Sequence, residues 1–305
     1  MISPQISPLT LGTAQIGGRY GIVNDTGCPE DKEVLAIFDV AEAAGIAYFD
    51  TAAAYGDAEK RLGRLLPVGR RRRWGKITKV PSLEGRADEK LAFVTAVRRS
   101  VQESRRRLRT ARLDIVMFHR AADAFRYARS GLDVLQVEVD RGLVGEIGVS
   151  IYSPEEAISC LADPRIRHIQ LPFNILDWRW VRPPFCEAIG DHPEVRVHAR
   201  SAFLQGLLLN PTERWPAWVE GSERLQNRID QCVLDLGCRD RIDLCLSFNH
   251  SMGWITTTVI GVETSAQLEL LTASFSERRF DEDEIAMVSA LARLAPERLL
   301  NPSKW

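Results

Sequence analysis

The sequence predicts an α/β fold, a closed (β/α)8 TIM barrel with extra C-terminal helices. Three observations predict it: eight short β-branched runs, a helical pattern after each, and no Pro/Ser/Gly-rich linker between them. Strands that alternate with helices pair in parallel through right-handed crossovers, and eight such units in 305 residues fill one closed barrel. Residues 1–305 are therefore read as a single domain. An open doubly wound sheet would carry a Gly-rich turn after its first strand, and "LGTAQIGG" is not G-x-G-x-x-G.

In chain order, "LTLGTA" (9–14) reads as the first strand, and "DKEVLAIFDVAEAAG" (31–45) as a helix with an acidic first turn and a closing glycine. "AYFDTA" (47–52), a helix over 57–66 and "KITKV" (76–80) follow. A long helix over 87–110 has Leu91, Val94, Val97, Val101 and Leu108 at helical spacing, which leaves the arginines of "SRRRLRTAR" on the solvated face. Next come "LDIVMFH" (113–119), a helix over 123–141 and "VGEIGVSIY" (144–152). Ser153 as N-cap with Pro154 at the first helical position starts a helix to 163. "HIQLPFN" (168–174), a helix over 179–190 and "EVRVHAR" (194–200) continue the series. A loop with Trp215 and Trp218 precedes helical sequence over 223–250, then "WITTTVIGV" (254–262) and helices over 264–275 and 281–295.

A net charge of −1 argues against a nucleic-acid or anionic-membrane partner. The six cysteines are scattered without C-x-x-C spacing, so neither a metal site nor a disulfide framework is expected, and reduced thiols point to the cytoplasm. No run approaches 18 apolar residues, and the N-terminus lacks the basic and apolar regions of a signal peptide.

Chemistry in such a barrel collects at the C-terminal ends of the strands. There the second strand ends in Asp50 with Tyr55 in the next loop, the third in Lys79 and the fourth in His119. An ammonium beside a phenol lowers its pKa, a carboxylate keeps a buried ammonium charged, and an imidazole can hold the reacting oxygen. The set reads as a general acid/base device for an oxygen that becomes an alkoxide.

"FDTAAAYGDAEKRLG", "KITKV" and "DIVMFHR" resemble the D-T-A-x-x-Y-G-x-S-E-x-x-L-G, T-K-V and L-L-H segments of the aldo-keto reductase family, and "GEIGVS", "IQLPFN" and "FLQGLLL" extend the likeness. The resemblance implies a barrel that binds NAD(P)H without a Rossmann fold and transfers hydride between it and an aldehyde, ketone or corresponding alcohol. It makes Tyr55 the general acid and Asp50, Lys79 and His119 its tetrad partners. It also implies cofactor contacts from Gly12, Thr13, Asp50, Ser150, Gln170, Arg200, Ser201, Phe203, Gln205, Gly206, Gly261, Glu263, Thr264 and Gln267.

Departures from the family pattern qualify these contacts. Ile151 replaces an amide, and Arg200 replaces the aromatic residue that stacks on the nicotinamide. A guanidinium there should favour the reduced cofactor over the cationic oxidised form. The helix starting near residue 264 is expected to offer N–H groups to anions. Gly261 and Gln267 stand where Lys or Arg would meet a ribose phosphate, and Glu263 would repel one, so the cofactor reading leans to NADH, with Arg278 and Arg279 as distant aids to NADPH. Gln15, Tyr20 and Trp305 are expected near the substrate, under loops 15–27 and 201–222. Two other readings stay open: a nicotinamide-binding regulator or partner subunit, and a dehydratase or isomerase without net redox. Substrate identity and oligomeric state are not legible in the sequence.

Overall fold

The structure, a computed structural model, describes residues 4–85 and 87–300. Eight parallel strands close in the order β1 to β8: β1 Leu9–Gly12, β2 Tyr48–Asp50, β3 Gly75–Val80, β4 Leu113–Phe118, β5 Val144–Ser150, β6 Ile166–Pro172, β7 Arg196–Arg200 and β8 Ile255–Gly261. Pairing of Gly12 with both Asp50 and Gly261 closes the ring. The barrel is the one the alternation predicts.

The helices are α1 Ala14–Gly17, α2 Asp31–Ala43, α3 Ala58–Leu65, α4 Val68–Arg73, α5 Lys90–Arg107, α6 Ala121–Asp140, α7 Pro154–Leu161, α8 Phe185–Gly190, α9 Ser222–Asp235, α10 Arg241–Ser251, α11 Ser265–Ser274 and α12 Glu282–Ser289. Ser153 caps α7 through Glu156 N, as its sequence predicts. The long run over 223–250 is two helices, because Gly237 turns the chain with φ +61° and Asp240 caps the second helix. Pro183 and Pro184 likewise cut the expected helix over 179–190 to a single 3₁₀ turn, Trp178–Trp180, and α8. In α5 the buried stripe is Phe93, Val97, Val101 and Ser104, whereas Leu91 is 77% exposed in the first turn.

Alternation along the strands splits the barrel lining. Below Asp50, Lys79 and His119, the same faces of β2 to β4 carry Tyr48, Ile77, Ile115 and Met117, a small apolar cluster of their own. The opposite wall is polar. His168 on β6 bonds Glu146 on β5 at 2.8 Å and His198 on β7 at 2.9 Å. Burial drives both imidazoles below their ordinary pKa, so they are neutral. The main core lies outside the barrel, between strands and helices, where Phe38, Phe49 and Trp74 pack edge to face.

Among the described residues no helix is long and apolar enough to cross a membrane. The six cysteines are free thiols.

Candidate active site

At the C-terminal rim, register sets the heights of the polar residues. Asp50 pairs with Ile77 and with Gly12, and Lys79 pairs with Met117, two residues before His119. Lys79 is fully buried, and its Nζ lies 2.5 Å from Asp50 Oδ1 and 3.2 Å from the Thr51 carbonyl oxygen. Burial lowers the Lys79 pKa and Asp50 opposes the fall. The other carboxylate oxygen of Asp50 accepts from Gln170 Nε2 at 2.8 Å, so both oxygens are engaged.

Tyr55 sits on a turn clamped against α1. Gly56 has φ +49°, Asp57 N donates to the Gly17 carbonyl, and a β-carbon on Gly17 would stand 1.8 Å from the Tyr55 carbonyl oxygen. Behind the turn, α3 is anchored by Glu59, which accepts from the Thr78 hydroxyl at 2.7 Å and pairs with Arg107. The Tyr55 ring stands edge-on to His119, centroids 5.8 Å apart, with Lys79 Nζ 5.2 Å from its centre. The expected tetrad is thus brought together.

One expectation is reversed. The phenol of Tyr55 is not lowered by Lys79; burial first and Asp50 second raise its pKa well above the ordinary value, with Arg200 opposing. The chief reason is that the hydroxyl is buried, which penalises the charged phenolate. His119 is lowered to about 3, chiefly by burial and then by Lys79 and Arg200, so it is a neutral imidazole. The device is a protonated phenol beside a neutral ring.

A cavity of about 310 Å³ runs from Tyr55 and Asp50 to the start of α11. Of the expected cofactor residues it is lined by Gly12, Thr13, Asp50, Gln170, Arg200, Ser201, Phe203, Gln205, Gly206, Gly261, Glu263 and Gln267, and it also takes in Gln15 and Tyr20. Ser150 does not line it but pairs in register with Gln170 at the same rim. Thr264 stands behind as the N-cap of α11. Lys79 is hidden beneath Asp50, and Trp305 lies outside the described residues. Ile151 is fully buried and forms no part of the wall.

Two loops roof the cavity. Ile22 N donates to Gln205 Oε1, Arg214 reaches the Val23 carbonyl at 3.0 Å, and a β-carbon on Gly206 would meet the Val23 side chain at 2.4 Å. Trp215 in the second loop is buried packing, its indole N–H bonded to the Leu207 carbonyl.

The start of α11 differs from the expected open anion site. Ser265 N donates to Glu33 Oε1 at 2.5 Å and Gln267 N to the Thr264 hydroxyl, so two of its N–H groups are engaged, and Glu263 N before the cap donates to Gln267 Oε1. Arg278 is not near the cavity; it pairs with Glu284, bonds the Leu236 carbonyl and covers Phe280. Tyr152 was missed by the sequence reading. Its ring lies 4.6 Å from the Arg200 guanidinium carbon, and the aromatic residue two places past Ser150 was the available signal.

The profile of the aldo/keto reductase family matches residues 8–293. The chain belongs to the aldo/keto reductase family. That membership makes it an oxidoreductase, and the family acts on small-molecule carbonyl substrates. The fold is similar to that of an aldo-keto reductase from Bacillus halodurans in its holo form, with TM-score 0.78 and 20% identity over 99% of this chain and 98% of that one. It is similar also to a glycerol dehydrogenase from Gluconobacter oxydans, TM-score 0.75 and 21% identity over 97% and 94% of the two chains. A putative aldo-keto reductase from Pseudomonas aeruginosa gives 0.65 and 23% over 88% and 89%. No curated protein matches the sequence.

The residues present fit the nicotinamide cofactor that this aldo-keto barrel implies. Gln170 has one amide face committed to Asp50 and its Oε1 free among the described residues, beside the Ser150 hydroxyl. An amide acceptor and a hydroxyl at one rim match the donor and acceptor of a carboxamide.

Proposed function

We infer that this aldo-keto reductase reduces an aldehyde or ketone, with Tyr55 as the general acid. The observation that carries the reading is the convergence of His119 and the buried Lys79–Asp50 pair on Tyr55, with Tyr55 and Asp50 on the cavity wall. When bound, the nicotinamide supplies the hydride.

The chain's own residues do the rest. Tyr55, held protonated by burial and by Asp50, donates its proton to the carbonyl oxygen. Neutral His119 donates a hydrogen bond to that oxygen and fixes its direction. Asp50 holds Lys79 in place and charged beside the Tyr55 ring. Ser150 and Gln170 orient the carboxamide, while Thr13, which donates its hydroxyl to the Asp50 carbonyl, steadies the rim. Glu263 on the wall favours a free ribose hydroxyl over a phosphate, which supports NADH. The Arg200 guanidinium opposes a cationic ring and supports the reduced form. Free thiols support a reducing, cytoplasmic setting.

The test is titration with NADH and NADPH, followed by tryptophan quenching, then a panel of carbonyl compounds with the tighter cofactor. Binding with turnover is expected. Loss of binding for both, or binding with no turnover across the panel, would overturn the reductase reading.

A further inference from the structure

We propose that Arg200, together with Tyr20 and Tyr152, is a receptor for a carboxylate on the carbonyl substrate, so that this site takes oxo acids in preference to neutral carbonyl compounds. The inference rests on the reductase reading and names its substrate class.

Arg200 ends β7 and lines the cavity beside Tyr55 and Tyr20. Among the described residues no carboxylate pairs with its guanidinium, and its Nη2 is buried with no hydrogen-bond partner. Asp50, on the same wall, has both oxygens committed to Lys79 and Gln170. A half-sheltered cation without a counter-ion is costly, and natural sites satisfy such a charge with a ligand or a partner. Here the cavity is the space in which an anion can meet it.

The guanidinium is also held for the task. It lies across the Tyr152 ring at 4.6 Å, a contact that fixes the plane of the fork without using any of its N–H groups. Tyr20, on the cavity wall with Arg200, lies within electrostatic reach of Arg200, Tyr152 and Tyr55. The Arg200 cation and the Tyr20 hydroxyl, both on the cavity wall, offer N–H and O–H donors to a carboxylate, whose negative charge an ester or an amide lacks. Reduction leaves the carboxylate unchanged: the carbonyl carbon gains hydride from the reduced nicotinamide, its oxygen gains the Tyr55 proton, and the oxo acid becomes a hydroxy acid.

The test compares 2-oxo and 4-oxo acids with their methyl esters as substrates. In parallel, the unreactive 4-hydroxybutanoate and its methyl ester are titrated calorimetrically into protein saturated with reduced cofactor. Acids are expected to exceed esters in kcat/KM by about 10- to 100-fold, the range a charge-assisted hydrogen bond supplies. The binding ratio should follow. Arg200→Met should bring both ratios close to one, Arg200→Lys should keep part of them, and Tyr20→Phe and Tyr152→Leu, which removes the ring under the guanidinium, should each lower them several-fold. Equal use of acids and esters, a preference that survives Arg200→Met, or no carboxylate binding to the cofactor-saturated protein would overturn the proposal. Carboxylate binding without turnover of any carbonyl compound would instead sink the reductase reading and leave the receptor standing.

Discussion

The α-carbon of Gly17 touches the carbonyl of Tyr55 so closely that a β-carbon there would lie 1.8 Å from the oxygen. The first helix therefore dictates where the phenol sits, although nothing on that helix touches a proton. Gly17→Ala forces the turn to move, and loss of about 1–3 kcal/mol of stability is expected from overpacking. Urea unfolding gives that figure, and kcat should fall further than stability explains, because the phenol moves with its turn. Unchanged kcat would show that the clamp is not what positions Tyr55.

Tyr55→Phe removes the proton donor and little else. Turnover should drop by about 10²- to 10⁴-fold while cofactor Kd stays within a factor of two or so. Stopped-flow single turnovers separate the two effects, and retained chemistry would remove Tyr55 from the role.

The same phenol sets the pH profile. Its pKa is raised by burial and by Asp50, so the acid form persists through neutral pH and is lost only as pH rises past the ordinary phenol value of about 10. Reduction should be flat from pH 6 to about 9.5 in kcat. The reverse oxidation, which needs the phenolate, should climb steadily over that span. A basic limb near pH 8 in the reduction profile would contradict the shift.

Arg200→Tyr exchanges the cation for an aromatic ring where the nicotinamide is expected. The oxidised cofactor should tighten more than the reduced one, by several-fold, since the repulsion of two positive charges is removed. Equal changes for both forms, measured by fluorescence titration, would assign Arg200 no influence on redox state.

Buried His168 and His198 make the barrel sensitive to acid. Both are neutral in the folded chain, with pKa values below the 6.5 of an unfolded imidazole. Between the lowered values and 6.5 the unfolded chain binds more protons, so stability is full above about pH 7 and declines as pH falls. Denaturant midpoints at pH 8, 6.5 and 5.5 should show this, and His198→Gln should flatten part of the slope. No change between pH 8 and 5.5 would contradict burial as the dominant influence.

Much of the rim was legible because polar residues at strand ends interrupt apolar runs. Asp50, Lys79 and His119 break "AYFDTA", "KITKV" and "LDIVMFH" at one height, and hydrophobic spacing is enough to find them. The burial of the phenol was not legible. The pairing of Asp50 with Lys79 was expected, but how deeply the Tyr55 hydroxyl is enclosed depends on tertiary packing, and that burial reversed the predicted direction of its shift. The interruption inside α6 was equally hidden. Tyr127, Ala128 and Arg129 have positive φ with no glycine or proline to announce it, and the break is held by Ser130 on the Tyr127 carbonyl and by Arg126 across the Phe93 and Tyr127 rings. Tyr152 was overlooked for a similar reason, since its importance lies in the side chain that β7 brings beside it.

Glu33 and Ser265 are 232 residues apart in the chain, yet one hydrogen bond joins them at the start of α11. The segment after β8 is thereby ordered by the helix after β1, before any dinucleotide arrives. Ordering a loop on binding costs about 0.5–1.5 kcal/mol for each immobilised side chain, and a segment already fixed avoids that cost. The closure of the barrel is thus a form of preorganisation: its first and last turns hold each other still on behalf of a ligand that touches neither Glu33 nor the helix that carries it.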